Sequence, residues 1–165
     1  MSATTPQTLT AATTTAAAPS SSGVARFVAT RPVWLVSIAA VLVGAVVTEA
    51  FALVTRAAGV PMEAASPGET EAAAIPVGGF AGGVVFWAIA GIVLAIALGR
   101  WAKRPARTWV ITTTILTVAS FAGPIVAPHT AVSTQIVLSL SHVVAAAVII
   151  PPIAHRLSHL PRQSR

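Results

Sequence analysis

Four long apolar runs constrain this chain more than any other feature. The first, Val33 to Val54, has 22 residues, and at about 1.5 Å per residue it reaches roughly 33 Å, enough to cross a hydrocarbon layer about 30 Å thick. The others run from about Val77 to Leu98, from Trp109 to Val126 and from Ala131 to Ile150. Gly123-Pro124 closes the third. Pro151-Pro152 lacks the N–H groups that extend a helical ladder, so the fourth is expected to stop there. In lipid, backbone polar groups must be satisfied within the segment, so runs of this length become helices. The expected fold is all-α: a polytopic membrane protein, a four-helix transmembrane bundle without a sheet, over residues 31–157. A disordered tail rich in Thr, Ala, Ser and Pro, residues 1–30, is expected to precede it and a short basic tail, residues 158–165, to follow.

Composition agrees with that solvent. Hydrophobic residues make up 55% of the chain and charged residues 8%, against about a quarter charged in soluble domains. Cysteine is absent, which removes disulfide frameworks, thiolate metal sites and cysteine nucleophiles. Asp, Asn and Tyr are absent too, which removes Ser-His-Asp triads and the usual carboxylate cages for magnesium and calcium. No cofactor, metal or catalytic constellation is expected, and the chain reads as a non-enzyme. A net charge of +6 would suggest nucleic acid in a soluble protein. Here the bases flank apolar runs, so no nucleic-acid partner is expected.

The tail to Gly23 holds Thr, Ala, Ser and Pro with no charge, and it cannot bury enough surface to offset ordering entropy, so disorder is expected. Ala50-Phe51-Ala52 mimics a signal-peptidase site, but the run before it exceeds the roughly 7 to 15 residues of a signal core. The run is therefore expected to remain as the first span.

The basic residues set the orientation. Arg26 and Arg31 precede span one, Arg100, Lys103, Arg104 and Arg107 separate spans two and three, and Arg156, Arg162 and Arg165 follow span four. The 1–2 loop has only Arg56 and the 3–4 loop has none. By the positive-inside rule both termini are cytoplasmic, in a multi-pass protein of the plasma membrane. Trp34, Trp101 and Trp109 lie at the same ends of their spans, as an aromatic belt would place them. The four bases from Arg100 to Arg107 could also hold anionic lipid headgroups.

Glu49 is the one charged residue inside an apolar run. A carboxylate at that depth must face the bundle or water, so it is a candidate proton or cation site. The plainer reading has it reach the interface, toward Arg56 on the same helix. His142, near the middle of span four, could relay a proton or clamp two helices. Helix rise puts it about 8 to 10 Å deeper than Glu49, too far for a direct bond. Span two carries Gly78, Gly79, Gly82, Gly83 and Gly91, with Ala95 and Gly99 continuing the four-residue spacing. Such stripes mark close helix contacts, within the bundle or between subunits. Trp87, midway along that span, is expected to fill the bundle core. Thr113, Thr117 and Ser120 form a polar stripe on span three, read as packing or back-bonding hydroxyls.

Two segments, Arg56-Ala57-Ala58-Gly59-Val60-Pro61-Met62 and Ser141-His142-Val143-Val144-Ala145-Ala146 running to Ile150-Pro151-Pro152, carry a resemblance. They resemble a family of small four-span bacterial membrane proteins, the domain of unknown function 6069 family. The resemblance covers roughly residues 31–157 and implies the architecture and a histidine at position 142. It implies no activity, substrate or cofactor. Small multidrug-resistance transporters offer an analogy, since they have four spans and a functional glutamate in the first. Glu49 sits further toward the outer end of its span than theirs. The expected function is a structural or accessory membrane role, with a homo-oligomer or a membrane protein as partner. The alternative is a small proton-coupled transporter using Glu49.

Overall fold

A computed structural model of the chain describes residues 23–65 and 69–160. The expected disorder of the first residues, and most of the basic tail after 158, lie outside that range. Six helices form: α1 (Gly23–Thr30), α2 (Val33–Ala57), α3 (Gly79–Trp101), α4 (Pro105–Ser120), α5 (Ala122–Val126) and α6 (Val132–Ser158). α2, α3, α4 continued by α5, and α6 are each long and apolar enough to cross a membrane. Four spans are therefore present among the described residues, and the protein is a helical membrane protein.

Several boundaries depart from the sequence reading. Residues 23–30, assigned to a disordered tail, form α1, whose Val28 is buried and which packs on α6. The bundle is not free of sheet, because β1 (Glu63–Ala64) pairs antiparallel with β2 (Ala73–Ala74) in the 1–2 loop. Span two starts at Gly79, not Val77, since Gly78 adopts a left-handed φ of 88° that ends the preceding turn. Span three begins at Pro105, where the ring suits the first helical turn. The largest departure is at Pro151-Pro152: α6 does not stop there but continues to Ser158. Neighbouring helices tolerate proline inside a membrane helix by supplying packing and partners. Pro151 and Pro152 leave the Ala147 and Val148 carbonyls without their helical donors, while Trp109 packs against this stretch of α6 and its indole N–H donates to the Ile150 carbonyl at 3.2 Å.

α2 and α6 form the central pair, with α3 packed on the outside of α2 and α4 on the outside of α6. α3 and α4 touch each other only lightly, so the four spans form an open arc. α2 buries a stripe of small residues, Ser37, Ala40, Val41, Gly44, Ala45, Thr48 and Ala52, at helical spacing. Small residues matter here because lipid removes the hydrophobic drive between helices and leaves close van der Waals packing. Gly44 is the tightest point: a Cβ there would lie 2.6 Å from Ile149 Cγ1 on α6.

Two apolar clusters pin the ends of the arc. At the basic end Ala40, Ala95, Trp109, Ile153 and Leu157 join all four spans. At the other end Ala52, Phe80 and Val137 enclose Met62 of the 1–2 loop. Trp109 was expected in the interfacial belt, but it is 2% exposed and lies in the first cluster, because its ring is the wedge between α4 and α6. Trp87 departs the opposite way. It is 73% exposed on the outside of the bundle, edge-on to Phe86, because α3 packs along a single face.

Candidate functional site

α2 reaches its last turns with Thr48 turned inward and Glu49 at the edge of its contact with α3. α3 begins at Gly78, which has no side chain to cap the helix. Helix N-termini leave their first N–H groups without partners, and a side-chain oxygen normally accepts from one of them. Glu49 supplies two of these acceptors from the neighbouring helix. Its Oε1 accepts the Gly78 N–H at 2.7 Å and its Oε2 accepts the Ala81 N–H at 3.0 Å. The carboxylate also lies at the positive end of the α3 dipole, where an anion is favoured.

Arg56, two turns further along α2, does not pair with Glu49. Its Nη2 donates to the Ile75 carbonyl at 2.8 Å, while its Nε is buried without a partner. The last turns of α2 thus hold both sides of the turn that delivers the chain into α3. The described residues that follow α2 in the 1–2 loop are fastened to α6 and to the residues just before it. The Thr134 hydroxyl donates to the Pro61 carbonyl, and the Ala65 N–H donates to the Thr130 hydroxyl at 3.2 Å. Ile75 N–H donates to the Met62 carbonyl at 2.7 Å, which closes the small ribbon.

His142 lies apart from this assembly. Its Nδ1 is 2.7 Å from the Leu138 carbonyl of its own helix. A carbonyl only accepts, so Nδ1 carries the proton in this arrangement. The ring stands edge-on to Phe121, with centroids 6.4 Å apart. The structure does not bring Glu49 and His142 into hydrogen-bonding contact, as helix rise predicts. Thr113, Thr117 and Ser120 each donate to a carbonyl one turn back on α4. They form no polar path to either residue.

The glycines divide by environment. Gly78 provides the left-handed turn, and a Cβ on Gly79 would meet Ile75 of that same turn at 3.0 Å. Among the described residues nothing lies within 4 Å of a Cβ on Gly82, Gly83 or Gly91, so a side chain at any of these three would enter open space. The close approaches belong instead to Gly99, at the far end of that stripe, and to Gly44, which the sequence reading passed over. An isolated glycine in a helical run signals a packing requirement, and Gly44 is the only glycine of span one. The buried hydroxyls of Ser37 and Thr48, which have no partner, were missed as well.

Among known proteins, the model of a family of unknown function, DUF6069, matches residues 28–159. No curated protein and no solved structure matches.

Proposed function

Because the chain belongs to the DUF6069 family, whose function is unknown, we propose its role from its own geometry: a non-enzymatic structural or accessory protein of the plasma membrane, with both termini in the cytoplasm. The observation that carries this reading is the engagement of Glu49. The only charged side chain within the apolar runs has both oxygens on the N-terminus of α3. It acts as an architectural cap, where a coupling carboxylate would have to exchange its ligands during a transport cycle. His142 is likewise bonded within its own helix. The sidedness rests on the bases, since the start of α2, the end of α3, the start of α4 and the end of α6 meet at one end.

The surface suited to a partner is α3, a second copy or another membrane protein being the occupant. Gly82, Gly83 and Gly91 are open, and Phe86, Trp87, Ile89 and Val93 are exposed on the same helix. Small residues beside large ones let a second helix pack closely.

The test is proton flux into liposomes holding the purified protein, with Glu49→Gln in parallel and candidate cations added in turn. The accessory role predicts no flux above empty vesicles in any condition. Substrate-dependent flux that vanishes in Glu49→Gln would refute it in favour of a proton-coupled transporter. Cross-linking in native membranes, parent against Gly83→Ile, reads the partner surface directly: the substitution should abolish a cross-linked species and leave the monomer folded.

A further inference from the structure

The basic end of the molecule contains no acidic side chain. All four carboxylate residues, Glu49, Glu63, Glu69 and Glu71, belong to the opposite end or its loop. Arg156 donates to the Arg31 carbonyl, and Arg31 lies over the Phe27 ring. The side chains of Arg100, Lys103, Arg104 and Arg107 have neither an ion pair nor a hydrogen bond among the described residues. Their counter-charge must come from outside the chain.

Arg100 is also placed beside a recess. The start of α2, the last turn of α3 and Leu160 after α6 border a shallow, open groove of ≈ 290 Å³ lined by Val33, Trp34, Ile96, Gly99, Arg100 and Leu160. Gly99 shapes its floor: a Cβ there would lie 3.2 Å from Leu160 Cδ1 and 3.4 Å from Leu157 Cδ2. The walls are apolar, and Arg100 and Trp34 are the lining residues that carry polar side-chain groups, with no hydrogen-bond partner for either side chain among the described residues. Arginine with tryptophan at the end of an apolar span is the pairing that sits at headgroup level. An occupant therefore needs an anionic head and an apolar body.

We propose that this groove binds an anionic phospholipid. Its phosphate sits on Arg100 and the Trp34 N–H, and an acyl chain lies along Val33, Ile96 and Gly99. Lys103 and Arg104, in the turn after α3, strengthen the field at the head position.

The experiment uses the full-length protein in nanodiscs. Trp87 and Trp101, both exposed, are replaced by phenylalanine, while Trp109 stays shielded in the core. Brominated phosphatidylglycerol and brominated phosphatidylcholine then compete to quench Trp34. The expected result is a preference of about fivefold for the anionic lipid at Trp34, falling to about one in Arg100→Gln and retained in Arg100→Lys. A companion variant keeps Trp101, which neighbours Arg100 but lies outside the groove, in place of Trp34. Equal preference at Trp34 and Trp101 would show only a diffuse basic surface and overturn the site. No preference at Trp34, or a preference that survives Arg100→Gln, would overturn it as well.

Discussion

Removing the Glu49 carboxylate should loosen the start of α3 while leaving the spans inserted. In Glu49→Ala the N–H groups of Gly78 and Ala81, held at 2.7 and 3.0 Å, lose their acceptors. Loss of a helix N-cap costs about 0.5–2 kcal/mol, and loss of an anion at a helix N-terminus adds roughly 0.3–1 kcal/mol. Gly78 is exposed, so water recovers part of its share, and the expected loss is about 2 kcal/mol. Glu49→Gln should lose about half of that, because an amide oxygen can accept from one N–H while its NH₂ group faces the other donor. The assay is equilibrium unfolding in mixed micelles with rising SDS, together with hydrogen exchange at the Gly78 and Ala81 amides. The expected order of stability is parent, Gln, Ala, with exchange rising at those two amides. Unchanged unfolding in Glu49→Ala, with Ala81 still as protected as in the parent, would refute the capping role.

Gly44→Leu should destabilise by about 1–3 kcal/mol through overpacking against Ile149, whereas Gly82→Ala should leave the isolated monomer as stable or up to about 1 kcal/mol more so; the same SDS titration reads both. Trp109→Phe keeps the ring in the core and removes the bond to the Ile150 carbonyl, so a loss of about 1 kcal/mol is expected. Thr134→Val should free Pro61 from α6 and raise hydrogen exchange at Ile75, with little change in the exchange of α4.

The spans were legible because length and the exclusion of charge are properties of a segment by itself. Glu49 was legible as an exception but its partner was not, because that partner is backbone, which has no signature in sequence. The glycines of α3 and Gly44 carry the same letter. Which of them meets another helix depends on the face α3 turns toward α2, and nothing local to the stripe fixes that rotation. Pro151-Pro152 misled for a related reason: local chemistry ends a helix there, while tertiary packing around Trp109 carries it through. Trp87 and Trp109 exchanged their expected places because depth along a span says nothing about direction around it.

The pairing of α2 with α6 bears on biogenesis. The two helices that hold the centre are the first and the last of the four spans. During synthesis α2 enters the membrane with its glycine seam uncovered, and it stays so while α3 and α4 are made. The seam closes only when α6 follows, about a hundred residues later by the helix bounds. Loop-closure entropy of that length must be met before the central contact forms, which makes it the slow event of assembly. A nascent chain halted after α4 would expose Gly44 and its neighbours sideways in the bilayer, open to the insertion machinery, to quality-control proteases or to the α6 of another copy.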